Sequence, residues 1–134
     1  MHKIMALDIG TKRIGIALSD YLQVIATPHS FIDRTPENKA IEIICDLANE
    51  NRVEKIVIGV PINMDGSEGF QAKDCIEFSQ KISGFDIIYE DERLTSEEAE
   101  SRLRARKIDF RKNKGLVDQE SACVILEQYL SRKK

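Results

Sequence analysis

The stretch Ile4-Met5-Ala6-Leu7-Asp8-Ile9-Gly10-Thr11-Lys12-Arg13-Ile14-Gly15-Ile16-Ala17 decides how this chain of 134 residues is read. Its apolar opening predicts a short strand over residues 4–8, ending on an acid. A carboxylate at the mouth of a buried strand is costly unless a cation pairs with it or it holds a metal. The glycines that follow let the chain turn sharply, and the alternation over residues 13–19 predicts a hairpin partner. One acid and a row of backbone amides then face a single point, an arrangement suited to a cation and a phosphate. Lys12 and Arg13, in the turn, are candidates for that phosphate.

A third strand is expected over 23–32, with Pro28 placing it at an edge or a bulge. Thr35-Pro36 reads as an N-cap followed by Pro at the first helical position, and Ile41, Ile44, Cys45 and Ala48 line one face of the helix beyond it. Lys55 to Val60 is a continuous apolar run, the mark of a central strand covered on both faces. A glycine-bearing loop, Pro61 to Gly69, leads to a helix over about 69–83 that stops at Gly84. Asp86 to Glu90 is the fifth strand. Thr95-Ser96-Glu97-Glu98 has the form of a capping box. The basic stretch up to Gly115 is weakly periodic and reads as a loop. A last helix carries Ala122, Ile125, Leu126, Tyr129 and Leu130 on one face.

Three antiparallel strands followed by parallel crossovers imply an α/β fold, a mixed five-stranded sheet with helices on both faces. The length suggests one domain spanning 1–134. Apolar residues make up 42% and charged residues 32%, the balance of a soluble globular chain. No apolar run nears the roughly 20 residues that span a bilayer, and Met1-His2-Lys3 leads straight into the first strand with no signal peptide. A cytoplasmic protein without membrane contact is expected. The three cysteines, Cys45, Cys75 and Cys123, lie in apolar helical patterns and lack metal-type spacing, which predicts buried free thiols. With two histidines, His2 and His29, there is no Ser-His or Cys-His arrangement for nucleophilic catalysis.

The acids fall where they can converge. Asp8 ends the first strand, Asp91 and Glu92 follow the fifth, and Asp118 opens the last helix. Acids at the C-terminal ends of neighbouring strands point into one crevice. Grouped carboxylates repel unless a divalent cation joins them, and an all-oxygen donor set selects Mg²⁺ or Mn²⁺. Such a site hydrolyses phosphodiesters without a protein nucleophile. The net charge of −3 argues against a general polyanion binder. Even so, Arg102, Arg104, Arg106, Lys107, Arg111, Lys112 and Lys114 are set against a single acid, Asp109, and can hold a nucleic-acid backbone locally.

The strings Asp8-Ile9-Gly10-Thr11-Lys12-Arg13-Ile14-Gly15-Ile16-Ala17, Gly59-Val60-Pro61 with Gly66 and Gly69, Asp91-Glu92-Arg93-Leu94-Thr95, and Val117-Asp118 with Ala122 and Ile125-Leu126 resemble the YqgF/RuvX family over nearly the whole chain. The resemblance implies an RNase H-like fold and a metal-dependent endonuclease. Its substrate would be structured RNA, at the 5′ end of precursor 16S ribosomal RNA, or in the alternative branched DNA at a Holliday junction. Carried over by residue, Asp8, Glu92 and Asp118 are the metal-binding and catalytic acids, with Asp91 as understudy for Glu92. Arg93 and Thr95 sit in the same site, and Ser96 replaces the family's second Thr. Related nucleases carry an acid after the central strand, where this chain has Gly59, so the Asp91-Glu92 pair must complete the site. A junction resolvase acts as a homodimer, whereas an RNA nuclease can be a monomer. Asp8-Ile9-Gly10-Thr11 is also similar to the first phosphate motif of the actin, Hsp70 and sugar-kinase fold, but those proteins enclose a nucleotide between two such domains. A catalytically idle RNA-binding module is the remaining reading, and the retained acids argue against it.

Overall fold

The apolar run that precedes Asp8 becomes the middle of the sheet because both of its faces are covered. The computed structural model describes residues 1–61, 69–92 and 95–133. Its elements are β1 (Lys3–Ile9), β2 (Arg13–Ser19), β3 (Ala26–Asp33), α1 (Glu37–Glu50), β4 (Val53–Val60), α2 (Phe70–Ser79), β5 (Asp86–Asp91), α3 (Thr95–Ala105) and α4 (Gly115–Lys133). The five strands form one sheet in the order β3-β2-β1-β4-β5. The first three are antiparallel, while β4 and β5 run parallel to β1, as the pattern of hairpins and crossovers predicts.

Strand side chains alternate between two cores. Met5, Leu7, Ile9, Ile56 and Ile58 pack with Ala40, Ile44 and Ala48 of α1 and with Ala72, Cys75 and Phe78 of α2. Ile4, Ala6, Ala17 and Val57 pack with Ala122, Cys123, Ile125, Leu126 and Leu130 of α4. Each fully buried Ile or Leu contributes about 1.5–3 kcal/mol relative to an exposed one. The small side chains Ala6 and Ala17 on the second face let α4 lie close on the sheet.

The differences from the expected boundaries have local causes. β3 begins at Ala26, because the Asp20 carboxylate accepts the amides of Val24 and Ile25 and holds that segment as a turn. β3 is the edge strand with an irregular register opposite Ile16 and Ala17, which accommodates Pro28. Pro36, not Thr35, occupies the N-cap of α1, and no side chain caps it. α2 stops at Ser79, four residues before the expected end, and Gly84 instead takes φ of +92° in the approach to β5. Thr95 lies inside the first turn of α3, and its hydroxyl donates to the Glu92 carbonyl at 2.9 Å instead of forming a capping box. The expected basic loop is partly helical, since α3 continues to Ala105 and includes Arg102 and Arg104. The three cysteines lie on α1, α2 and α4 as free thiols.

Candidate active site

Asp8 belongs to the face of β1 that carries Ile4 and Ala6, the face that α4 covers. Its antiparallel partner across the hairpin is Gly15. Directly opposed residues share a face, so a side chain at 15 would stand between Asp8 and α4. There is none, and the helix takes the space. A Cβ on Gly15 would overlap the carbonyl group of Asp118 and lie 2.6 Å from the amide nitrogen of Gln119. This close approach seats the first turn of α4, with Asp118, beside the end of β1.

Gly59 does the same for Glu92. The register pairs Gly59 with Glu90 and Val60 with Asp91, and the Glu92 amide donates to the Val60 carbonyl at 3.1 Å. A Cβ on Gly59 would stand 2.8 Å from Glu92 Oε2 and would overlap Ile125 Cδ1. Gly59 is therefore the opening into which Glu92 reaches. Adjacent strand residues point to opposite faces. Asp91 is exposed at the end of β5, whereas Glu92 enters the cavity.

Asp8, Glu92 and Asp118 line one cavity of about 290 Å³ at the C-terminal ends of β1, β4 and β5. Its other walls are the turn Gly10-Thr11, Pro61, Gln71 and Asp74 of α2, and Thr95 and Ser96 of α3. Burial raises the Asp8 carboxyl above the usual range, repulsion from Asp118 adds to this, and a hydrogen bond with Glu92 opposes it. Glu92 is raised further, first by burial, then by repulsion from Asp8 and by giving up its proton's hydrogen bond to Asp8 if it ionises. Burial thus biases both carboxyls toward their protonated forms. Asp118 accepts from Arg13 Nε at 2.8 Å.

The donor set fits Mg²⁺ or Mn²⁺. Asp8, Glu92 and Asp118 supply only oxygen, and a cation would relieve the repulsion of Asp118 on Asp8 and of Asp8 on Glu92. The one nearby thiol, Cys75, is pushed up to about 12 by burial, stays protonated and donates to the Ile9 carbonyl at 3.5 Å. Among the described residues no three His, Cys, Asp or Glu side chains are already drawn together as a cage. Asp118 is turned to Arg13 instead.

The basic residues separate into two groups. Lys12 is exposed in the β1–β2 turn, and Arg13 reaches the cavity through Asp118. Arg102 forks onto Glu127 at 2.6 and 3.1 Å and bonds Glu98 at 3.1 Å. Arg106 pairs with Glu120, whose side chain is 6% exposed. Arg104 pairs with Glu100 at 3.6 Å and lies over the Phe110 ring, and Arg111 pairs with Asp109. These arginines tie α3 to α4 or cap their own segment. Lys107, Lys112 and Lys114 are exposed and form no ion pair among the described residues. Arg93, Leu94 and the loop 62–68 with Gly66 lie outside the described residues.

One residue of the cavity wall, Asp74, and the cation behind it, Arg34, carry no sequence signal. Asp74 sits among ordinary helical polar residues, and Arg34 follows an edge strand like any surface cation. The structure joins them: Arg34 forks onto Asp74 at 2.6 and 2.8 Å and is itself only 8% exposed.

Comparison with known proteins gives the family and the fold. A family model described as "RuvX: Holliday junction resolvase" matches residues 2–132. A relative from Crocosphaera subtropica is 42% identical over 139 aligned positions, covering 100% of this chain and 97% of that protein. One from Picosynechococcus is 44% identical over 129 positions, covering 94% of this chain and 90% of that protein. Both bear the name "Putative pre-16S rRNA nuclease". Among solved structures, Thermus thermophilus RuvC with a Holliday junction superposes with a TM-score of 0.60 at 10% identity, covering 99% of this chain and 96% of that one. A fowlpox virus resolvase bound to junction DNA gives 0.60 at 15% identity, covering 98% of each chain. These two likenesses establish the RuvC-like, RNase H-type fold.

Proposed function

Because the chain belongs to the RuvX family, matched over residues 2–132, we propose that it is a Mg²⁺- or Mn²⁺-dependent endonuclease. Its substrate is structured RNA, and its task is to process the 5′ end of precursor 16S ribosomal RNA during ribosome biogenesis. The observation that carries this reading is the convergence of Asp8, Glu92 and Asp118 on one cavity. The names of the 39–44% identical relatives support the choice of substrate.

In this reading Asp8, Glu92 and Asp118 hold the metal, with Asp91 outside the cavity as the lesser candidate. A bound divalent cation supplies an activated water and charge stabilisation at the leaving oxygen. The chain's own contribution is to place three carboxylates on one side of the substrate. Asp8 and Glu92, whose protonated forms burial favours, would have to be ionised to hold the cation. Arg13, released from Asp118, would serve a phosphate oxygen together with Lys12 and Thr95, and Arg93, by the family resemblance, is a further candidate for the same role. The exposed Lys107, Lys112 and Lys114 grip the backbone beyond the site, with Arg102, Arg104, Arg106 and Arg111 contributing where their intramolecular partners release them. Among the described residues no helix is long and apolar enough to cross a membrane; a cytoplasmic role follows from the proposed part in ribosome biogenesis.

The alternative is the same chemistry on a four-way DNA junction, which the family description favours. It requires a homodimer, since two strands are cut symmetrically. Single-turnover cleavage of a labelled precursor RNA, with Mn²⁺ and with excess chelator, tests the leading reading. Metal-dependent cuts at the 5′ precursor segment are expected. Cleavage unaffected by chelator would overturn it.

A further inference from the structure

Arg34 is the most fully engaged cation beside the cavity, although it contributes no atom to the cavity wall. Its amide donates to the Lys12 carbonyl at 2.9 Å. Its guanidinium donates to the Gly10 carbonyl at 3.0 Å and forks onto Asp74 at 2.6 and 2.8 Å. The group lies over the Phe78 ring, 5.2 Å from its centre, with Glu37 Oε2 at 3.8 Å. Three pieces of chain therefore meet on one side chain: the turn between β1 and β2, the exit of β3, and the middle of α2. The turn carries Thr11 into the cavity and directs Arg13 to Asp118, and α2 carries Gln71 and Asp74 along the opposite wall.

We propose that Arg34 is a positioning residue of this site. Its fork on Asp74 and its bond to Gly10 fix the Gly10–Arg13 turn against α2 and keep Asp74, a fourth cavity carboxylate, from joining Asp8, Glu92 and Asp118. A bidentate guanidinium sets both distance and angle, which an ammonium cannot do. Without it, the turn is freed and an unpaired acid faces the site. This inference rests on the nuclease reading for its catalytic consequence, but its structural half does not.

The test uses the full chain as wild type, Arg34→Gln, Arg34→Lys, Asp74→Asn and the double variant Arg34→Gln/Asp74→Asn, all assayed well below their melting temperatures. Misplacement of a reacting group by about 1 Å costs roughly 100-fold in rate, so kcat of Arg34→Gln should fall by that order with KM little changed. Arg34→Lys should not rescue it. Asp74→Asn, which keeps the Gly10 bond but loses the charged fork, should lose less of kcat than Arg34→Gln, and the double variant, with no unpaired acid at the site, should recover part of the Arg34→Gln loss. Equal kcat in folded Arg34→Gln and wild type, or full rescue by lysine, would overturn the proposal. Amide hydrogen exchange separates this from failure of the nuclease reading. Arg34→Gln should accelerate exchange at Gly10 and Arg13 while leaving the centre of β1 protected. Unchanged exchange in that turn would overturn the positioning role whether or not any substrate is cut.

Discussion

Gly15 and Asp118 meet backbone to backbone, so that a methyl group on Gly15 would overlap the Asp118 carbonyl. The obstacle is main chain on both sides, and neither side can rotate away. Gly15→Ala should therefore cost about 1–3 kcal/mol of stability, the usual range for overpacking. It should also lift Asp118 from the cavity, which cleavage at a temperature where the variant is folded would reveal. Denaturant titration matching wild type would contradict the close approach.

At Gly59 the obstacles are the ends of two flexible side chains, Glu92 and Ile125. Gly59→Ala should fold with a loss near the lower end of the same range, about 1 kcal/mol, because both ends can swing aside. The displaced Glu92 should nonetheless reduce cleavage by the order of 100-fold, as for a misplaced catalytic group. The informative comparison is Asp91→Asn, which should cleave like wild type. Loss of cleavage in Asp91→Asn with retention in Gly59→Ala would reverse the assignment.

Raised carboxyl pKa values give the metal-free fold a defined response to pH. Asp8 is pushed up to about 6 and Glu92 to about 10, both above their unfolded values. The folded chain then holds more protons than the unfolded one. Stability from these two groups is fully present below their unfolded values of 3.8 and 4.5, and is lost as pH rises from there through about 6 and on toward 10. Each proton held in excess gives a slope of up to about 1.4 kcal/mol per pH unit. Thermal melts in chelator should show this decline, and Asp8→Asn should flatten it while being more stable than wild type at pH 8. Saturating divalent metal opposes the decline, adding about 2.7 kcal/mol at a hundred times Kd. A metal-free Asp8→Asn less stable than wild type would argue against repulsion in the pair.

The mixed five-stranded sheet, antiparallel first and then parallel, and both helical layers were legible in the sequence because hairpin, crossover and helical periods are local signals. Asp8 stood out for the same reason, as an acid closing an apolar strand. What placed Glu92 and Asp118 beside it was not local. Gly15 and Gly59 read as strand glycines, and only the packing of α4 and the reach of Glu92 show that their missing side chains make the site. Arg102 and Arg106 read as part of a basic loop because their partners, Glu127 and Glu120, lie in another helix. Arg34 and Asp74, 40 residues apart, left no pattern at all.

Those ion pairs predict a division within the basic segment. Arg106→Ala leaves Glu120 with a 6% exposed side chain and only Arg102 Nη1 at 3.8 Å, so it should lower stability by about 1–3 kcal/mol. Lys112→Ala and Lys114→Ala should leave stability unchanged. Each should instead lower the slope of log K against log salt for RNA binding by about 1. Unchanged slopes for both lysine variants would remove this segment from the nucleic-acid interface.

The most direct test of the central claim is cleavage by wild type and Asp8→Asn, side by side, with Mg²⁺ or Mn²⁺. The two substrates are a precursor 16S RNA 5′ fragment and a four-way DNA junction. Cutting of the RNA by wild type and not by Asp8→Asn is the predicted result. Paired cuts in the junction alone would transfer the same site to branched DNA. Cleavage by Asp8→Asn equal to wild type, or no cutting of either substrate by folded wild-type protein, would contradict the account.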